Sequence, residues 1–327
     1  MVSHPSSSLR SVWRWLLLPL GITLAAFAGS VFAQAKTEPL RIGYQKYGTL
    51  TLLKARGDLE KRLAPLGVEV KWTEFPAGPQ MLEGLNVGSI DFGTVGEAPP
   101  IFAQAAGADL VYVANQPPAP RGEAILVPKD SALKSVAELR GKKVALNKGS
   151  NVHYLLVRAL EQAAVPYSAI QPVFLAPADA RAAFEKGAVD AWVIWDPFFA
   201  AAQKQLGARL LADGTGLVSN HQFYLATRSY AEKRPQVIQA IVDELARLDL
   251  WAEKNDKEVA AVLAPQIGLA PEITEVAASR FAYGIRPISP AVAAEQQKIA
   301  DAFFELKLIP KAIRVGDALP GKTVAAQ

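Results

Sequence analysis

The chain of 327 residues contains no cysteine, only three histidines and only two methionines. Without a thiolate there is no cysteine nucleophile, no iron–sulfur cluster, no Cys-ligated zinc, no disulfide scaffold and no lipid attachment through an N-terminal cysteine. Three histidines and no cysteine offer few ligands for a transition metal, and no metal or other cofactor is expected. Charge of one sign is also scarce. The formal net charge is +4, and no basic stripe with interleaved aromatics marks a nucleic-acid surface. Catalytic signatures are missing too: the stretch GSNVHY (149–154) has neither the spacing nor the lysine of a Walker A loop, and no G-x-S-x-G elbow occurs.

A membrane-spanning run is lacking as well. The apolar segment from Trp15 to Phe27 is short and is broken by Pro19 and Gly21. It follows Arg10 and Arg14, no acidic residue occurs in 1–33, and small residues end it at Val31–Ala33 and Ala33–Ala35. A basic, then apolar, then small-residue order predicts a signal peptide at 1–33, cleaved after Ala33 or Ala35, and hence a soluble periplasmic protein. Removing those 33 residues with their two arginines leaves 294 residues and a formal charge of +2.

What is present is an alternation. Short apolar runs bounded by turn residues lie at 40–45, 68–75, 90–95, 110–114, 123–127, 143–147, 171–175, 189–195 and 223–227. Segments with helical spacing separate most of them, which predicts α/β architecture with largely parallel sheets. From Ser229 onward the pattern is helical, with Val237, Ile238, Ile241, Val242, Leu245 and Leu248 on one stripe. An internal near-repeat 99 positions apart sets Gly88 on Gly187, Asp91 on Asp190, Glu97 on Asp196 and Ala103 on Ala202. Two similar lobes, each offering the same strand-to-helix loop to a shared cleft, account for it.

Three strand-to-helix junctions carry the candidate chemistry. One runs from Gly43 to Gly48 and includes Gln45 and Tyr47. A second runs from Asn147 to His153, where Ser150 is an N-cap candidate and the first turn of the following helix is suited to an oxyanion. Gly149 allows close approach, and Ser150 and Asn151 add donors. The third is the repeated pair, Gly96-Glu97-Ala98-Pro99 and Trp195-Asp196-Pro197-Phe198, with Asp196 an N-cap candidate before proline. Glu97 and Asp196 have two readings, as capping groups or as contacts for a hydroxyl or ammonium on a ligand. Ser150, His153 and Asp196 superficially form a triad, but Ser150 and His153 share one helical turn, and no catalytic residue is assigned. Trp195 ends a strand at the cleft edge, where its indole would cover an apolar ligand body.

At these loops the stretches RIGYQK, EFPAGPQMLEGLNVGSIDFG, PPIFAQAAGADLVYVA, LRGKKVALNKGS, QPVFLAPADARAAF and VDAWVIWDPFFAAA resemble the periplasmic aliphatic-sulfonate-binding proteins of ABC importers, a branch of the nitrate, taurine and thiamine-precursor binding family. The resemblance runs from about 38 to 315. It implies a two-lobed type II periplasmic binding fold with a hinge and an interlobe cleft, lobe one from 36–121 plus 221–327 and lobe two from 122–220. It also implies a monomer that captures an organosulfonate and delivers it to an inner-membrane permease, with Gln45, Gly96, Glu97, Ser150, His153, Trp195 and Asp196 lining the cleft. QKYG at 45–48 where the family has QKG, and GSNVHY where a serine-richer run is common, bear on the ligand. The alternatives are taurine, a sulfate ester, nitrate or a thiamine precursor as ligand, an enzyme on the same fold, or a sensory ligand-binding subunit.

Overall fold

Each predicted apolar run becomes a strand in one of two five-stranded sheets. The computed structural model describes residues 38–321; the signal segment expected at 1–33 lies outside the described residues. The chain begins with β1 (Glu38–Tyr44), α1 (Gly48–Arg56), α2 (Asp58–Leu63), β2 (Val68–Glu74), α3 (Gly78–Asn86), β3 (Phe92–Val95), α4 (Pro99–Ala105) and β4 (Leu110–Asn115). It then crosses to a second group: β5 (Glu123–Val127), β6 (Lys143–Leu146), α5 (Asn151–Gln162), β7 (Gln171–Phe174), α6 (Pro177–Glu185), β8 (Ala191–Trp195), α7 (Phe198–Leu206) and β9 (Arg209–Asp213). β10 (Phe223–Thr227) returns to the first sheet, and five helices follow: α8 (Arg228–Lys233), α9 (Pro235–Ala252), α10 (Asp256–Ile267), α11 (Pro271–Ala278) and α12 (Pro290–Glu305).

The sheet orders are β2-β1-β3-β10-β4 and β7-β6-β8-β5-β9, the same arrangement twice. The near-repeat is visible at the level of single hydrogen bonds. Asp91 accepts from the Arg41 backbone N–H at 2.9 Å and Asp190 from the Lys143 backbone N–H at 2.8 Å, each carboxylate pinning a β-strand of its own sheet. Gly88 and Gly187 end their helices at φ +71° and +66°, where a side chain is strained.

Two details differ from the sequence reading. β5 and β10 are antiparallel to both of their neighbours, so four of the eight strand pairings are antiparallel. Each of these strands arrives straight from the other sheet, without the crossover helix that a parallel pairing needs. β9, with sequence RLLAD, was not anticipated. It is a half-exposed edge strand, so its pattern is not that of a buried run. By contrast β3, β5 and β8 are buried throughout and read as continuous apolar segments because both of their faces are covered.

The two crossings, 116–122 and 214–222, hydrogen-bond to each other. Gln116 N–H donates to Gln222 O, Ala119 N–H to Ser219 O, and Gly214 N–H to Pro120 O, at 2.9 to 3.0 Å. The helical tail packs back over what precedes it, with Val237, Ile238, Ile241, Leu245 and Leu248 of α9 joining Leu40 and Ile42 of β1 in one buried cluster. α11 reaches the other way, where Ile273 and Ala277 meet Ala200 and Ala201 of α7. Among the described residues no single helix is long and apolar enough to cross a membrane.

Candidate functional site

The carboxyl ends of β1, β6 and β8 and the paired crossings surround a cavity of about 30 Å³. Ligand sites of open α/β sheets lie outside the carboxyl ends of strands. Here two such edges share one space.

Two helix starts line it. Gly48 and Thr49 open α1, and Asn151 opens α5. These helices follow β1 and β6, which hold the same place in the two sheet orders. Neither carries a side-chain cap, and neither has an acidic residue in its first turn. Their leading N–H groups and dipoles therefore lie beside the cavity without a competing carboxylate on the same helix. At Gly48 the backbone is left-handed, with φ +72°, a turn that brings Thr49 round to the cavity.

Side-chain amides complete the polar lining. Gln116 donates to Thr49 Oγ1 at 2.8 Å and to Asp249 Oδ2 at 2.9 Å, and Gln222 accepts from the Tyr47 hydroxyl at 2.9 Å. Asn151 donates to Asn220 Oδ1 at 3.1 Å and to Glu123 Oε2. The apolar walls are aromatic, from Tyr47, Trp195, Phe281 and Tyr283.

Of the residues predicted from sequence, Asn151, Trp195 and Asp196 line the cavity. Gln45 is buried below it, donating to Thr94 O at 3.2 Å. Gly96 serves another purpose: a Cβ there would meet the Asn151 side chain at 2.8 Å, so glycine is what lets the start of α5 approach the opposite sheet. Ser150 occupies the N-cap position of α5, but its hydroxyl donates back to Asn147 O at 2.7 Å instead of capping. Asp196 is not the N-cap of α7, which is Pro197, yet its Oδ1 still accepts from Ala200 N–H at 2.9 Å.

His153 is turned away from the cavity. It is two residues beyond Asn151, and at 100° per residue the two side chains lie on opposite faces of α5. Gly149 N–H donates to Nδ1 at 3.2 Å, Nε2 meets the Tyr167 hydroxyl at 2.8 Å, and Phe102 and Phe303 pack against the ring. Burial lowers its pKa to about 4. The Ser150 hydroxyl and the His153 ring thus hold separate partners, and no nucleophile–base pair forms.

Three acids surround the site, and burial raises the pKa of each. Burial pushes Glu97 up to about 8, although His221 N–H donates to it at 3.2 Å. Burial and the neighbouring Glu97 raise Glu123 well above its usual range. Glu97 therefore keeps its proton at neutral pH and does not repel an anion. Asp196 is raised to about 7 by burial, against the pull of Arg280 and the Ala200 N–H.

Thr49, Gln116, Asn220, Gln222, Phe281 and Tyr283 were missed in the sequence. The proline-rich NQPPAP after β4 marks an irregular crossing that points to Gln116. Nothing local marks Phe281 or Tyr283, which reach the cavity only because α11 packs on α7.

The sequence pattern of the NMT1-like family matches residues 33–267. The chain belongs to the NMT1-like family. Over 300 residues this NMT1-like chain is 49% identical to a relative from Escherichia coli (strain K12) that carries the provisional name of an aliphatic sulfonates-binding protein, with 91% of this chain and 93% of the relative covered. The alkanesulfonate-binding protein SsuA from Xanthomonas axonopodis pv. citri, solved bound to MOPS, superposes with a TM-score of 0.84 at 44% identity, covering 88% of this chain and 99% of that one. The periplasmic aliphatic sulphonate binding protein SsuA from Escherichia coli superposes with a TM-score of 0.78 at 48% identity, covering 87% and 92%. The fold of the NMT1-like chain is that of a periplasmic binding protein, and the three similar proteins just described are named as binding proteins.

Proposed function

We propose that this chain is the periplasmic solute-binding component of an ABC importer, capturing aliphatic sulfonates in the cavity between its sheets and delivering them to a membrane permease. The observation that carries this reading is the pair of uncapped helix starts, α1 and α5, beside one cavity with aromatic walls. Similarity to proteins named for sulfonate binding supports the choice of anion. A sulfonate stays ionised at any physiological pH and is a poor base, so neutral donors suffice and no proton moves. The head group sits against the first-turn amides and Asn151, while Trp195 and Phe281 cover the carbon chain.

Lobe one comprises 36–121 and 221–327 and lobe two 122–220, bending at the paired crossings. A cavity of about 30 Å³ is too small for an alkanesulfonate, so the ligand is held with the lobes further apart than in this structure, and they close on it. Contact with both helix starts at once favours the closed state. The protein acts as a monomer, after loss of residues 1–33. Titration calorimetry with ethanesulfonate, taurine, nitrate and sulfate tests the reading. Binding of ethanesulfonate with the others weaker is the expected result, and the absence of heat with every sulfonate overturns it.

A further inference from the structure

Among the described residues that line the cavity, Asp196 is the only Asp, Glu, Lys or Arg. A negative group on the wall of an anion site needs an explanation, and its surroundings supply one. Arg280, which is not part of the lining, reaches Asp196 from behind. Its Nη1 lies 3.2 Å from Oδ2 and 3.4 Å from Oδ1, while the Asp196 side chain is fully buried and that of Arg280 is 17% exposed. The guanidinium is itself held, by Gln203 Oε1 at 2.7 Å and by stacking 3.9 Å from the centre of the Phe199 ring. Arg280 follows α11, and both of those contacts come from α7, so the α11–α7 packing sets the pair in place.

We propose that Arg280 is a specificity-determining residue of this site: by holding Asp196 in a closed ion pair it makes the cavity select sulfonates with uncharged tails over those ending in an ammonium group. This rests on the sulfonate reading above. With the head group at the helix starts, the tail lies along the wall formed by Trp195 and Asp196. An alkyl tail meets an indole and a neutralised carboxylate. An ammonium tail in the same place either displaces Arg280 from Asp196 or sits desolvated without a partner, and both cost affinity. Without Arg280, the carboxyl group is free to ionise against an ammonium tail, and the preference shifts toward such ligands.

The test is the ratio of dissociation constants for taurine and ethanesulfonate, a pair that differs in a single terminal ammonium, measured by calorimetry on the full-length mature protein. Arg280→Gln is expected to shift that ratio toward taurine by about tenfold or more. Asp196→Asn, which leaves an unpaired cation behind the wall, shifts it several-fold the other way, and the double variant returns it to within about twofold of wild type. A merely structural Arg280 would weaken both ligands together with the ratio unchanged, and that result overturns the inference. If Arg280→Gln does not fold, an unchanged ratio in Asp196→Asn overturns it equally. Wild-type protein that binds neither ligand removes the sulfonate reading and this inference with it. Wild-type protein that binds ethanesulfonate while the variants leave the ratio fixed removes this inference alone.

Discussion

Glu97 and Asp196 occupy the same slot of the repeated unit, one after β3 and the other after β8, and both are almost wholly buried beside the cleft. Their environments are unlike. Glu97 accepts from the backbone N–H groups of Asn220 and His221 in one crossing, has no cation against it, and keeps its proton up to about pH 8. Asp196 faces Arg280 and the first turn of α7. Burial thus raises both carboxyl groups, Glu97 to about 8 and Asp196 only to about 7, because Arg280 and the Ala200 N–H favour the charged form of Asp196. The repeated unit supplies the carboxyl groups, and the surrounding tertiary contacts decide how each is held.

The strongest way to break this comparison is to remove each acid in turn. Asp196→Ala leaves Arg280 without its partner in a mostly buried setting and should destabilise the fold by about 3–5 kcal/mol in chemical denaturation. Glu97→Gln, which replaces one neutral hydrogen-bonding group by another, should cost less than about 1 kcal/mol at pH 4, where folded and unfolded Glu97 both largely keep the proton, and nothing at pH 7. Equal losses would mean that the two sites are charged alike.

The pH dependence sharpens the same contrast. An unfolded Glu97 ionises near its ordinary value of 4.5, whereas the folded one holds its proton to about 8. The folded state therefore binds more protons across this window, and its stability falls as pH rises through it. Glu97→Gln lacks that slope, so relative to wild type it should gain on the order of 2–4 kcal/mol between pH 5 and pH 8, read from denaturant midpoints. A parallel pair of pH profiles would assign the retained proton to another group, with Glu123 the first suspect.

Gly96 and Trp195 are also repeat partners, one making room for Asn151 and the other walling the cavity. Gly96→Ala should weaken ligand binding about tenfold by keeping the start of α5 from its closed position, with little change in unfolding midpoint. The smallest effect is expected at His153. His153→Phe should leave ligand affinity within about twofold while costing about 1–2 kcal/mol of stability through the lost Gly149 and Tyr167 partners. A large loss of binding there would return His153 to the site.

Much of this was readable in the residues. Alternating apolar runs located the sheets because a buried strand must be apolar wherever it is covered, and the edge strand β9 escaped because it is not. The near-repeat pointed to paired lobes and to the junctions around 97 and 196, and the strand-to-helix pattern pointed to those around 45 and 150. Within those junctions, which side chain faces the cavity was not legible. Asn151 and His153 are both polar, both in the first turn of α5, and separated only by the phase of the helix. Tyr283 and Phe281 carry no local signal, since their position depends on α11 crossing to α7.

Local chemistry in the chain was enough to specify two α/β units, the loops that join strand to helix and the absence of a thiolate mechanism, because these depend on near neighbours in sequence. The direction of β5 and β10, the meeting of two helix starts on one cavity and the pairing of Arg280 with Asp196 were settled only on folding. Each depends on segments dozens of residues apart, and the dielectric and the partners that set a buried charge exist only once those segments have packed.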